Sequence, residues 1–173
     1  EYNVGTKCML FLPYFPGARQ DRRMVEGEPL TVKTYANIIN SLNFTCVSIF
    51  DPHSDVAPAL LNNCEVIDNH KFVNRVINII DTRKATLFIS PDAGANKKVI
   101  ELAKALDYSY KSIIKCDKTR VPKTGELLNF KVYSDDLKGK DCFIVDDICD
   151  GGGTFIGLAE ELKKKNAGDL YLI

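Results

Sequence analysis

The sequence alternates short, continuous apolar runs with segments whose apolar residues recur at helical spacing. The runs of strand length lie at 8–12, 44–50, 85–89, 111–114, 142–145 and 170–173. Continuous runs of this kind are typical of strands in a parallel sheet that is covered on both faces. Amphipathic segments at 32–42, 99–106 and 155–162, and a longer one over about 66–80, predict the covering helices. The pattern therefore predicts an α/β fold with mainly parallel sheets and helices on both faces.

A long connection around residues 60–66 interrupts this alternation. It predicts two related α/β halves, residues 1–65 and residues 66–173. The last apolar run, at 170–173, has no helical segment after it. Because an α/β domain rarely stops on a bare strand, we expect this chain to be part of a larger protein.

The overall charge is balanced, with 23 Lys and Arg against 23 Asp and Glu. Such a chain has no net field that would attract nucleic acid or an anionic membrane. Its apolar runs are far shorter than the roughly 20 residues that span a bilayer, and its six cysteines lack the spacing of a metal site. These features predict a cytoplasmic protein with neither a nucleic-acid nor a membrane partner. Affinity for anions must then come from local clusters.

Loops rich in charged and small residues follow five of the predicted strands. They lie at 13–28, 51–55, 90–95, 117–127 and 146–154. In open α/β folds the ligand lies at the carboxyl ends of the strands. The five loops therefore predict a ligand site along one sheet edge.

The strongest single feature is the segment 142–155, where a buried strand is followed by two aspartates and a three-glycine loop. Glycines leave backbone N–H groups accessible, and a helix N-terminus adds about half a positive charge, so a phosphate is accommodated there. The aspartates are placed to accept hydrogen bonds from vicinal sugar hydroxyls, directly or through a metal. A turn capped by Asp150 is the structural alternative, but a cap needs one glycine, and each further one costs about 0.5–1 kcal/mol. The predicted sugar-phosphate site comprises Asp146, Asp147, Asp150, Gly151, Gly152, Gly153 and Thr154.

This segment resembles the phosphoribosyl-diphosphate-binding motif of the type I phosphoribosyltransferase fold. Four other segments, in the same order along the chain, resemble loops of the ribose-phosphate pyrophosphokinase (phosphoribosyl pyrophosphate synthetase) family. They are residues 13–22, similar to its ATP-contacting loop; 51–54, similar to its Asp-Leu-His loop; 90–94, similar to its Ser-Pro-Asp-Ala-Gly loop; and 118–120, similar to the Lys-x-Arg pair of its flexible catalytic loop. The ordered set covers nearly the whole chain.

The resemblance implies a phosphoribosyltransferase-like fold and a homo-oligomer that transfers pyrophosphate from Mg-ATP to the anomeric hydroxyl of ribose 5-phosphate, giving phosphoribosyl pyrophosphate and AMP. The implied ATP-binding residues are Arg19, Gln20, Asp21, Arg22 and His53. The implied catalytic residues are Lys118, Arg120 and His53, and the implied Mg2+ ligands are His53 and Asp92. Taken without the resemblance, Arg22 also suits a solvated basic turn and Asp92 an Asx turn.

One position departs from the family pattern. The phosphate loop of the family usually reads Asp-Thr-Gly-Gly-Thr, whereas Gly151 stands here in place of the first Thr. A hydroxyl donor is lost and space is gained beside the phosphate. This leaves open an acceptor whose 5-phosphate carries a further group, such as ADP-ribose. The sequence is also compatible with a phosphoribosyltransferase and with a non-catalytic homologue of the pyrophosphokinases.

Overall fold

The computed structural model describes residues 7–80, 86–120 and 127–173. The chain folds as two compact units, Glu1–Asn69 and His70–Ile173. The division falls four residues beyond the predicted boundary, because Cys64–Ile67 forms a strand of the first unit. None of the helices in the described ranges is both long enough and apolar enough to cross a membrane.

The first unit is a three-stranded parallel sheet with two helices. Its elements are β1 (Met9–Leu12), α1 (Thr31–Ser41), β2 (Cys46–Phe50), α2 (Val56–Leu60) and β3 (Cys64–Ile67). Both helices pack into one core with Val47 and Ile49 of the central strand β2. On β1, Leu10 and Leu12 pack against this core, whereas Met9 and Phe11 alternate with them and are exposed.

The second unit is a five-stranded sheet in the order β6-β5-β4-β7-β8. Its strands are β4 (Thr86–Ser90), β5 (Ile113–Arg120), β6 (Leu127–Val132), β7 (Asp141–Ile144) and β8 (Leu170–Leu172). Its helices are α3 (His70–Ile80), α4 (Asn96–Ala105) and α5 (Gly153–Lys164). Strand β6 runs antiparallel to β5, and the other pairs are parallel. The prediction of mainly parallel α/β sheets is confirmed.

Helices cover both faces of the second sheet. On the central strand β4, Leu87 and Ile89 pack with α5 in one core, whereas Phe88 packs with α3 and α4 in another. Side chains alternate between the two faces of a strand, so a continuous apolar run supplies both cores. This is the arrangement that the apolar runs predicted.

The predicted long helix over 66–80 is wrong at its start. Val66 and Ile67 belong to β3, and α3 begins only at His70. The N–H of Asp51 donates to the carbonyl oxygen of Ile67, and the side-chain amide of Asn69 donates to Asp51. These bonds hold the end of β3 beside β2, and pairing of this kind outweighs a helical apolar pattern.

The predicted boundaries around β5 are also wrong. The apolar run at 111–114 predicts a short strand followed by a polar loop, but β5 continues through Arg120 and pairs with β6, which none of the apolar runs predicts. Residues 121–126 of the expected loop lie outside the described residues. The five polar loops therefore follow strands of two sheets, not of one.

Candidate functional site

In the first unit, two polar loops leave the carboxyl ends of β1 and β2. These strands pair in parallel, with Leu12 opposite Ile49, so both loops start at the same edge of the sheet. Phe15 and Ala18 are buried and anchor the first loop in the core. The predicted ATP-binding residues Arg19, Gln20, Asp21 and Arg22 follow these anchors, and His53 lies on the second loop.

Asp21 joins the two loops. Its side chain is only 6% exposed, and the Nε of Arg22 donates to its Oδ1 at 3.1 Å. Burial alone would raise the pKa of Asp21, but a hydrogen bond from Ser54 and the positive charges of Arg22 and His53 hold it below its usual value. Asp21 is therefore an anion at the centre of a basic pair of loops. The side chains of Arg19, Gln20 and Arg22 are exposed around it.

In the second unit, the glycine loop leads from β7 into α5. The helix begins at Gly153, with Gly152 in the N-cap position at φ +74°. That backbone conformation favours glycine. The cap is Gly152 and not Asp150, so the interpretation of this segment as an Asp-capped turn is wrong.

The space beside the glycine loop is open. A Cβ added to Gly151, Gly152 or Gly153 would meet no atom within 4 Å. The N–H groups of the first helical turn have no acceptor inside the helix. Open space in front of such donors suits an anion such as phosphate.

Asp146 and Asp147 follow β7 at the same edge. The N–H of Asp147 donates to Oδ1 of Asp146 at 3.0 Å, and this hydrogen bond orients the Asp146 carboxylate. Burial and the charge of Asp147 raise the pKa of Asp146 to about 6, with Asp92 adding to the effect. A carboxylate pair of this kind attracts a cation or hydroxyl donors.

Lys98 of α4 was not among the predicted site residues, and its Nζ lies 3.5 Å from Oδ1 of Asp147. A signal was present in the sequence. Lys98 stands three residues after Ala95 and four before Leu102, both buried, and residues at these spacings share one helical face. A lysine on the buried face of a helix needs a charged partner, and Asp147 is that partner.

Asp92 lies on the turn after β4, next to the end of β7. Its Oδ1 accepts from the N–H of Ala95 at 3.0 Å, and its carboxylate forms an ion pair with Lys118 of β5. It also accepts from the N–H of Gly94 two residues on, as in an Asx turn. Burial alone would raise the pKa of Asp92, but Lys118 and the N–H groups of Ala95 and Gly94 lower it. Asp92 is thus both a turn residue and a charged one.

The second unit therefore brings Asp92, Lys118, Asp146, Asp147 and the glycine loop to one sheet edge. Arg120 belongs to β5, but the structure describes only its backbone and not its side chain. The two implied Mg2+ ligands are divided between the units, His53 in the first and Asp92 in the second. Within the described ranges, no group of three or more His, Cys, Asp or Glu residues is arranged to hold a metal ion.

A mainly parallel sheet with an aspartate pair and a glycine loop at its carboxyl edge defines a phosphoribosyltransferase-type domain. A family model described as "Phosphoribosyl transferase domain" matches residues 65–170. The chain belongs to this family.

Two relatives sharpen the comparison. The chain is 32% identical over 160 residues to a ribose-phosphate pyrophosphokinase of Mycoplasma pneumoniae, and 34% identical over 160 residues to that of Mycoplasma genitalium. Each match covers 90% of this chain and 46% of the relative. The chain thus spans about half the length of the curated relatives it matches.

A solved structure shares the fold. Phosphoribosylpyrophosphate synthetase from Mycobacterium smegmatis superimposes with a TM-score of 0.81 at 24% sequence identity. The match covers 96% of this chain and 53% of that one. It shows that this chain has the fold of the matched half of that synthetase.

Proposed function

We propose that the protein transfers the pyrophosphoryl group of Mg-ATP to the anomeric hydroxyl of ribose 5-phosphate, giving phosphoribosyl pyrophosphate and AMP. The observation that carries the proposal is the ion pair between Lys118 and Asp92. It brings an ammonium group to the sheet edge that also carries Asp146 and the glycine loop. Similarity to ribose-phosphate pyrophosphokinases over 90% of the chain supports the same chemistry.

The sugar phosphate would occupy the open space at the start of α5. Backbone N–H groups of Gly151, Gly152 and Gly153 would bind the 5-phosphate together with the Thr154 hydroxyl, while Asp150 lines the entrance. Asp146 and Asp147 would accept hydrogen bonds from the two ring hydroxyls. The free space next to these glycines supports this assignment.

ATP would be held by Arg19, Gln20, Asp21, Arg22 and His53. Arginine offers a fixed fork of donors that matches phosphate oxygens. Asp21 supports this role because it ties its own loop to the loop of His53 while leaving both arginines exposed.

Transfer requires in-line geometry and neutralisation of charge, with little covalent work for the protein. The anomeric oxygen forms a bond to the β-phosphorus, and the bond from that phosphorus to the oxygen bridging to the α-phosphate breaks. AMP leaves with that oxygen, and the hydroxyl proton is released. Lys118 and Arg120 would stabilise the charge that develops on the transferred group.

The residues at this edge fit a role for Mg2+. This ion prefers oxygen ligands and is usually held by one or two carboxylates together with the phosphates of a substrate. Burial and, after it, the negative charges of Asp147 and Asp92 raise the pKa of Asp146, and a divalent cation would offset those charges. We therefore propose that Asp92 helps to hold Mg2+, which would neutralise the polyphosphate when bound. The assignment of His53 as a further ligand stays a prediction from the resemblance. Assembly into a homo-oligomer and a cytoplasmic location stay predictions.

The test is to incubate the full-length protein with ATP and Mg2+ and to follow AMP, offering ribose 5-phosphate and ADP-ribose in turn as acceptors. We expect one AMP per molecule of ribose 5-phosphate consumed. The matched control is Lys118→Ala, which excludes a contaminating kinase if its AMP release is lost. Release of AMP with ADP-ribose alone would identify a substituted ribose phosphate as the acceptor. Absence of AMP with both acceptors would defeat the proposal. Consumption of phosphoribosyl diphosphate with a free base would instead identify a phosphoribosyltransferase.

A further inference from the structure

The ion pair between Lys98 and Asp147 has no part in the transfer chemistry proposed above. The ammonium group lies 3.5 Å from Oδ1 of Asp147, whose side chain is only 9% exposed. A carboxylate removed from water in this way is costly unless a cation compensates it. Lys98 supplies that charge from α4, a helix that is otherwise packed by its apolar face.

Asp147 in turn contacts Asp146. Its N–H donates to Oδ1 of Asp146, and the negative charges of the two residues repel each other. Asp92 adds a third negative charge, which is itself paired with Lys118. Lys98 is therefore a cation that contacts the aspartate pair from α4, while Lys118 pairs with Asp92.

We propose that Lys98 is a positioning residue for the sugar acceptor: through its ion pair it holds Asp147 so that Asp146 and Asp147 together accept hydrogen bonds from a vicinal diol. Lys98 does not touch the sugar. The inference rests on the proposed function, because it assigns the diol of a ribose phosphate to this aspartate pair. It predicts that Lys98 discriminates between ribose 5-phosphate and 2-deoxyribose 5-phosphate, which lacks one of the two hydroxyls.

The experiment measures binding of both sugar phosphates to the full-length protein by calorimetry, together with kcat and KM in the AMP assay. In Lys98→Met we expect Kd for ribose 5-phosphate to rise about tenfold or more, since hydrogen bonds to charged groups have that strength. Kd for the deoxy sugar and KM for ATP should change by less than about threefold, because neither uses the positioned diol contact. Lys98→Arg, which keeps the positive charge, should retain most of the affinity for ribose 5-phosphate.

Two controls separate positioning from a merely structural role. Lys104→Met alters an exposed lysine on the same helix and should leave both Kd values unchanged. In an Asp147→Asn background, Lys98→Met should have no further effect on Kd, because the residue through which Lys98 acts has lost its charge. If Lys98→Met folds poorly, Lys98→Gln provides the same comparison with a polar side chain.

Unchanged affinity for ribose 5-phosphate in Lys98→Met would overturn the inference. So would equal losses for the two sugars, or the same loss in the Asp147→Asn background. A wild-type protein that releases no AMP defeats the proposed function. A wild-type protein that turns over while Lys98→Met keeps its affinity defeats only the role of Lys98.

Discussion

Lys118 forms an ion pair with Asp92, and this contact ties β5 to the turn after β4. The two strands pair only as far as Ser90 and Lys115. Lys118 is three residues further on, about 10 Å past the end of the shared sheet at the rise of an extended strand. Beyond the sheet, β5 is supported by its antiparallel pairing with β6, where Lys118 stands opposite Phe130. A strand, rather than a loop, thus delivers the ammonium group to the site.

Replacing Lys118 with Ala should lower turnover by about two powers of ten or more, because the group proposed to stabilise transition-state charge is lost. The free energy of unfolding should change by less than about 1 kcal/mol, since partly exposed ion pairs contribute little. AMP formation and thermal denaturation measure the two effects. Lys131→Ala on β6 is the control, since Lys131 is exposed and contacts the ring of Tyr133. Near-normal turnover in Lys118→Ala, or an equal loss in Lys131→Ala, would contradict the assigned role.

Much of the second unit could be predicted because the sequence patterns that indicate its elements are local. A buried apolar run followed by aspartates and glycines identified the segment after β7, and the order of the polar loops identified the turn of Asp92. Strand β6 was missed because its apolar residues Leu128, Phe130 and Val132 alternate with polar ones, unlike the continuous apolar runs that predicted the parallel strands. Lys98 was missed for a different reason, because its partner Asp147 lies 49 positions away along the chain.

Gly151 offers a test of the acceptor. An added side chain would meet open space there, and Gly151 is absent from the residues with positive φ, so substitution is tolerated by the backbone. Gly151→Thr supplies the hydroxyl that the family pattern has at this position. We expect KM for ribose 5-phosphate to fall by a few-fold, about the effect of one added hydrogen bond, while the free energy of unfolding stays the same.

Gly152→Thr is the matched control. Gly152 has φ +74°, where a side chain is strained, and a left-handed conformation costs a β-branched residue about 1–2 kcal/mol. This variant should therefore lose stability without gaining affinity. If Gly151→Thr instead raises KM for ADP-ribose, by filling the space beside the phosphate, and leaves KM for ribose 5-phosphate unchanged, the acceptor carries a substituted 5-phosphate.

Asp146 makes stability depend on pH. Burial and the charge of Asp147 raise its pKa from an ordinary value of 3.8 to about 6, so the folded chain holds a proton that the unfolded chain releases. The stabilisation is fully present below about pH 4 and is lost as the pH rises through about 6. A shift of this size corresponds to on the order of 1–3 kcal/mol. Asp146→Asn should therefore gain stability relative to wild type across this interval.

Chemical denaturation of both proteins at pH 4, 5, 6 and 7 measures this difference. Comparing the two proteins removes the effect of groups such as Asp92, whose lowered pKa makes stability change in the opposite direction. A difference between wild type and Asp146→Asn that stays constant from pH 4 to pH 7 would contradict the raised pKa.

Gly157 lies on α5 where this helix packs against Phe130 of β6. A Cβ at this position would lie 2.6 Å from Cε2 of Phe130, which packs against the core that α5 shares with the sheet. Within a helix, Gly→Ala normally stabilises by about 0.5–1 kcal/mol. Here the sign should reverse, and we expect Gly157→Ala to destabilise by about 1–3 kcal/mol, as other overpacked cores do.

The reversal should depend on Phe130. In a Phe130→Ala background the contact is gone, so the same Gly157→Ala substitution should regain its ordinary stabilising sign, and denaturant unfolding of the four proteins measures the coupling. Because Phe130 stands opposite Lys118 on β5, displacement of its ring by Gly157→Ala should also move the ammonium group away from Asp92 and reduce turnover. If Gly157→Ala stabilises the protein with Phe130 in place, the close contact between α5 and the Phe130 ring is contradicted. The argument that Phe130 helps to position Lys118 then fails as well.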